Sequence, residues 1–295
     1  MINHVTILVL RAGRVSDGFT AFRTVPVRQP AAGSSRPCSD RGIFATKCTC
    51  HNDPIRRVLL QMIGMKLRRG LIQVAGVIDA AEAAMLAECG ADWLGFPLRL
   101  PINKDDLSED EAAKVIAGIR PPQHGVLITY EIDADEVSAF CRKLGVRKIQ
   151  LHANVPVAQL RILKRREPDL LIIKSLIVRD ANQQSLLATI EQTCEWVDMY
   201  ITDTFDPVTG AEGATGRVHD WQISADLVQR SPRPVMLAGG LTADNITVAI
   251  QQVRPAAVDA HTGLEDSTGR KDSAKVRQFV EHARHAFAQL ASRRP

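Results

Sequence analysis

From Leu71 onward the chain alternates short apolar runs with stretches of helical periodicity, and the alternation repeats eight times. The apolar runs predict strands at Leu71–Val77, Ala91–Pro97, His124–Tyr130, Lys148–Ala153, Leu170–Val178, Trp196–Thr202, Val235–Ala238 and Ala257–His261. Between and after them the 3.6-residue pattern predicts helices at Ala80–Glu88, Glu109–Gly118, Ala134–Leu144, Pro156–Arg166, Gln183–Thr193, Ile223–Gln229, Ala243–Val253 and Ser273–Ala291. Ser108 followed by Glu111 makes a capping box ahead of the second helix, and Thr242 is placed to cap the seventh. Eight strand-then-helix units over residues 67–295 predict an α/β fold, a closed (β/α)8 TIM barrel. An open doubly wound sheet is the alternative, but its first strand should lead into a G-x-G-x-x-G turn. Here that turn reads Ala75-Gly76-Val77-Ile78-Asp79.

Residues 1–66 do not share this pattern. Between positions 11 and 54, Arg, Ser, Gly, Pro and Thr mix without a sustained period, so the segment has no apolar face to bury and reads as a disordered leader. Translation starting at Met62 or Met65 would account for it equally well, and an Arg-rich, acid-poor stretch also fits a transit peptide. The apolar run Val5–Leu10 is too short for a membrane span.

Charge changes the picture only once it is divided. The first 70 residues hold 12 Lys/Arg against 3 Asp/Glu, which leaves 25 against 30 in the body and makes the barrel mildly acidic. No basic face for nucleic acid is expected, and no membrane association. Six cysteines are too few and too irregularly spaced for a disulfide scaffold, which points to a reducing, cytoplasmic setting. Cys38, Cys48, Cys50 and His51 match no common zinc spacing, so no metal is expected.

In a barrel of this kind, chemistry gathers at the carboxyl ends of the strands. The polar residues there are Gln73 in strand 1, His152 and Asn154 after strand 4, Lys174 in strand 5, Asp203 after strand 6, and His261 with Thr262 after strand 8. Gly239-Gly240 follows strand 7 and Thr262-Gly263 follows strand 8; backbone N–H groups so placed can approach a phosphate closely. The loop 209–216, with Gly213 and Gly216, is a candidate lid. Asp203 ends a β-branched run, where a carboxyl in a partly apolar mouth can serve as general acid or base; a helix cap is its plainer use. Lys174 interrupts a buried run and needs a carboxylate or a substrate anion, or could form a Schiff base. His152 reads as a satisfied core or rim histidine, as a catalyst, or as a substrate-binding residue.

These segments together resemble the phosphoribosylanthranilate isomerases of tryptophan biosynthesis across roughly residues 71–288. The similarity rests on Gly90-Ala91-Asp92-Trp93-Leu94-Gly95-Phe96, Gln150-Leu151-His152, Ile173-Lys174, Asp203-Thr204, Gly213 to Gly216 with Asp220-Trp221, Leu237 to Leu241, and Val258-Asp259 with Gly263 to Glu265. The resemblance implies a cofactor-free Amadori rearrangement of a phosphoribosyl aminoaldose by a monomer or homodimer. Asp203 would be the acid that opens the furanose ring, and the glycine clusters would hold the phosphate. The family's base is a strand-1 cysteine within Lys-x-Cys-Gly-x-Thr; here the segment reads Gln73-Val74-Ala75-Gly76-Val77-Ile78. The family's Ser-Pro-Arg after strand 2 is Ile102-Asn103-Lys104, which leaves Lys104 to meet an anion with a point charge instead of a fork. The family's paired serines after strand 8 are His261-Thr262, and His261 becomes the candidate displaced base.

Overall fold

The computed structural model describes residues 69–101, 105–179, 182–204 and 220–292. The leader 1–66 with its cysteines and His51, Lys104, and the loop 209–216 with Gly213 and Gly216 lie outside the described residues. Eight parallel strands run β1 (Leu71–Ala75), β2 (Trp93–Pro97), β3 (His124–Thr129), β4 (Lys148–Leu151), β5 (Leu171–Val178), β6 (Met199–Thr204), β7 (Val235–Leu237) and β8 (Ala257–Ala260). They pair in chain order, and β8 closes on β1 with Leu71 opposite Ala257 and Gln73 opposite Asp259. The expected TIM barrel is therefore the observed one. The open-sheet alternative is excluded by that closure.

The outer layer comprises α1 (Ala80–Glu88), α2 (Glu109–Gly118), α3 (Ala134–Leu144), α4 (Val157–Arg166), α5 (Gln183–Thr193), α6 (Trp221–Arg230), α7 (Ile246–Val253) and α8 (Ser273–Ser292). Local chemistry sets their starts. Asp79 accepts from Glu82 N at α1, Ser108 and Glu111 form the full capping box at α2, and Asp133 accepts from two backbone N–H groups at α3. Thr242 behaves differently from expectation. Its hydroxyl accepts from Asp244 and Asn245 N–H in a turn that precedes α7, and the helix begins at Ile246, three residues after the expected Ala243.

Strand alternation sorts the core into two layers. Leu71, Ala75, Trp93, Val126, Ile128, Ile173, Met199, Ile201, Met236 and Ala257 fill the barrel interior, while Ile72, Val74, Leu94, Phe96, Leu127, Ile149, Tyr200 and Val258 face the helices. Burying an aliphatic side chain of this kind is worth about 1.5–3 kcal/mol. The register is pinned by two carboxylates in equivalent places: Asp92, just before β2, accepts from Ile72 N at 2.8 Å, and Asp198, just before β6, accepts from Ile172 N at 2.9 Å. Asp92 also receives Arg284 of α8 at 2.7 Å, and Arg284 reaches Gly70 O, so the last helix is tied to the first strand. Asp198 explains why β6 starts at Met199 and not at the expected Trp196: its carboxylate is spent on the turn.

Candidate functional site

Toward the carboxyl ends of the strands, a group of polar residues occupies inner positions of the barrel. Gln73 stands opposite Trp93 and Asp259, and Gln150 stands opposite Ile128 and Ile173, so the register turns Gln73, Gln150 and Asp259 into the lumen. Two residues further along their strands, His152 follows Gln150 and Asp203 follows Ile201 on the same faces. All five are buried.

They form a connected polar set. Gln73 Nε2 donates to Gln150 Oε1 at 2.9 Å, Gln150 Nε2 lies 2.9 Å from His152 Nε2, and His152 Nε2 lies 3.7 Å from Asp203 Oδ2. Thr204 N donates to Asp203 Oδ1 at 2.8 Å. Burial pushes the Asp203 carboxyl up from 3.8 to about 7, against the Thr204 hydrogen bond. Burial, reinforced by the charge of Lys174, pushes His152 down to about 4. His152 and Asp203 are therefore not an ion pair at neutral pH despite their approach: the imidazole is neutral, and the carboxyl is poised between its two forms. The Asp259 carboxyl is held well above its ordinary value, first by burial and then by the charge of Asp203. Among the described residues, Gln73 Oε1, His152 Nδ1 and Asp259 Oδ1 are buried without a hydrogen-bond partner. Each such group costs about 1–3 kcal/mol. Ser175 Oγ, Thr202 Oγ1 and Trp221 Nε1 are likewise without a partner among the described residues, so what singles out this lumen as a candidate ligand site is that three such atoms belong to one connected polar set.

A second cluster sits where β8 meets β1. Gly76 has φ +79°, and a Cβ built on it would fall 2.1 Å from His261 Nε2, so the imidazole lies directly over the backbone beside Ala75. His261 Nε2 lies 3.2 Å from Glu265 Oε1, and Lys271 Nζ donates to the same oxygen at 2.9 Å and to Gly76 O at 3.2 Å. The Lys271 side chain is 0% exposed. Burial works to raise the Glu265 carboxyl, but the hydrogen bonds from His261 and Lys271 win and hold it at about 2. Glu265 is thus an anion that accepts Nε2–H from His261, so that in the neutral ring the lone pair is on Nδ1.

The two glycine clusters come together. Gly239 and Gly240 have φ +93° and +61°, and the turn is held by Asn245 Nδ2 donating to Gly240 O at 2.8 Å. Gly263 opens its approach in another way: a Cβ there would lie 2.2 Å from Leu241 O, so only glycine lets the Thr262–Leu264 turn pack against the turn after β7. Lys174 is placed less directly. The register sets it beside Leu151 and Tyr200 of the helix-facing layer, and its ammonium donates to Ser175 O at 3.0 Å while its charge reaches His152.

Sequence reading assigned no role to Gln150, Asp259, Glu265 or Lys271. The signal that finds the first two is a polar residue at an inward position of a buried strand; the last two become visible only through contacts across the barrel seam.

Comparison with known proteins converges on one family. The family model described as N-(5'phosphoribosyl)anthranilate (PRA) isomerase matches residues 72–282. The chain is 39% identical over 217 residues to N-(5'-phosphoribosyl)anthranilate isomerase 2 of Methanosarcina mazei, covering 73% of this chain and 95% of the relative. It is 30% identical over 228 residues to isomerase 1 of the same organism, covering 74% and 97%. The structure of the phosphoribosyl anthranilate isomerase from Thermotoga maritima superposes with TM-score 0.62 at 25% identity, covering 73% of this chain and 98% of that one.

Proposed function

For a chain that belongs to the N-(5'-phosphoribosyl)anthranilate isomerase family, we propose an Amadori rearrangement of a phosphoribosyl aminoaldose without cofactor, run by Asp203 as acid and His261 as base. Protonated Asp203 delivers its proton to the furanose oxygen as the C1′–O bond breaks, and the nitrogen lone pair forms the C1′=N iminium. His261 Nδ1 then removes the C2′ proton, and the electrons of that C–H bond become C1′=C2′ and neutralise the iminium. Ketonisation at C2′ completes the 1-deoxyribulose phosphate. The turns at Gly239, Gly240, Thr262 and Gly263 hold the phosphate ester, and Gly213, Gly216 and Lys104 are assigned to the same ligand from the sequence.

The observation that carries this reading is the buried Asp203 carboxyl, whose pKa of about 7 lets it hold a proton at the pH at which it must give one away. Support for the base comes from position: the imidazole stands over Gly76, next to Ala75, where the family carries its cysteine, and the Glu265–Lys271 pair orients it. The setting proposed is the cytoplasm.

Complementation of an isomerase-deficient strain tests the assignment. Rescue by the unaltered chain is expected. Rescue by Ala75→Cys alone would overturn it, because the native pocket would then serve another phosphorylated sugar or amine.

A further inference from the structure

The buried amides beneath the acid carry a consequence for substrate contact. An amide nitrogen can only donate, so Gln150 Nε2, at 2.9 Å from His152 Nε2, requires that ring nitrogen to accept. What keeps Gln150 turned this way is Gln73, whose own Nε2 fills Gln150 Oε1 at 2.9 Å and whose amide also bonds the Asp259 carboxyl. A neutral imidazole accepting at Nε2 has its proton on Nδ1. That Nδ1 is buried with no hydrogen-bond partner among the described residues, on a ring stacked against Tyr130 at 5.3 Å between centroids. The Asp203 carboxyl lies 3.7 Å from the opposite nitrogen.

We propose that Gln73 is a positioning residue: acting through Gln150, it locks His152 in the neutral Nδ1–H tautomer, so that a buried N–H is presented to a ribose oxygen of the substrate. The part concerning the substrate rests on the rearrangement proposed above; the tautomer does not. Burial keeps the imidazole neutral across the physiological range, so the donor is a polarising group and not a competing acid. The groups around the ring are Gln150, Tyr130, Asp203 and the charge of Lys174, and among them Gln150 alone fixes the direction of the Nε2 hydrogen bond.

Nitrogen-15 NMR of the full chain with labelled histidine reads the tautomer without substrate. The expected result is Nδ1–H for His152 in the unaltered protein and Nε2–H in Gln73→Glu, because a carboxylate at 73 accepts from Gln150, turns the amide over and offers Oε1 to the ring. Gln73→Leu, which removes the donor without adding charge, should give a mixture. An Nε2–H ring in the unaltered protein, or an unchanged tautomer in both variants, overturns the proposal and leaves the assigned reaction standing. With the phosphoribosyl substrate, Gln73→Glu should lose roughly 10²-fold in kcat with little change in KM. His152→Asn, whose amide nitrogen can stand in for Nδ1, should retain more activity than His152→Gln, which extends toward Nε2. Equal losses in the two histidine variants would remove the donor role while the tautomer result stood.

Discussion

Replacing Asp203 by asparagine should stabilise the barrel, and by an amount that depends on pH in a defined way. The native carboxyl holds its proton to about 7, whereas in the unfolded chain it ionises near 3.8. Below pH 4 the group is protonated in both states, and the substitution should be close to neutral. Between pH 4 and 7 the unfolded chain releases a proton that the native state keeps, so the stability of the unaltered protein falls as pH rises. Above pH 7 the native state bears a buried anion, and the whole cost is present. At about 1.4 kcal/mol for each tenfold change in ionisation constant, the difference approaches roughly 4 kcal/mol. Asparagine avoids it while keeping an oxygen for Thr204 N, and by removing the charge beside Asp259 it relieves that carboxyl in the same direction. Urea unfolding of both proteins from pH 4.5 to 8.5 measures this. Asp203→Asn should gain little at the acid end and about 4 kcal/mol at pH 8.5, on the order of 10 °C in Tm for a domain of this size. A difference that is flat with pH, or a loss of stability at pH 8, would refute a buried, proton-holding Asp203.

The remaining expectations follow from the same contacts. His261→Ala should lower kcat by roughly 10²- to 10⁴-fold without altering the unfolding transition materially, since the ring is a quarter exposed and Glu265 keeps Lys271 as its partner; steady-state kinetics beside thermal melts decides it. Gly76→Ala places a methyl on the imidazole and an L-residue at φ +79°, where strain alone costs about 1–2 kcal/mol. The double variant with His261→Ala should recover part of that loss, and simple additivity in the cycle would place the imidazole elsewhere. Gly263→Ala drives a Cβ into Leu241 O, so the affinity for inorganic phosphate, read from its stabilisation in a thermal melt, should fall about tenfold or more, and undiminished stabilisation would remove this turn from the phosphate site.

Much of this architecture is legible before any coordinates. Helices α1 to α3 start at the expected residues because Asp79, Ser108 and Asp133 act over three or four positions of chain, whereas α6, capped by Asp220, starts at Trp221, two residues ahead of the expected Ile223. Eight repeats of strand and helix imply a closed barrel. Asp203 stands out as a carboxyl at the end of a β-branched run. What escapes is whatever depends on closure. Trp196-Val197-Asp198 reads as strand until Asp198 is seen to serve Ile172 across the sheet. The Gln73–Gln150 bond spans 77 positions, and Lys271 meets Gly76 across 195. No local periodicity encodes such partners; they appear once β8 lies against β1. The register of β5, likewise, turns Lys174 toward the helix-facing layer, although a lysine in an apolar run reads equally well as facing the lumen.

Turnover of N-(5'-phosphoribosyl)anthranilate by the purified chain, followed as kcat/KM against pH, tests the central claim most directly. The unaltered protein should convert the substrate, with activity falling on the alkaline side as a group near pH 7 loses its proton, and Asp203→Asn should abolish that activity while remaining folded. A folded protein that ignores the substrate until Ala75 is replaced by cysteine, or an Asp203→Asn variant that retains full rate, would contradict the account.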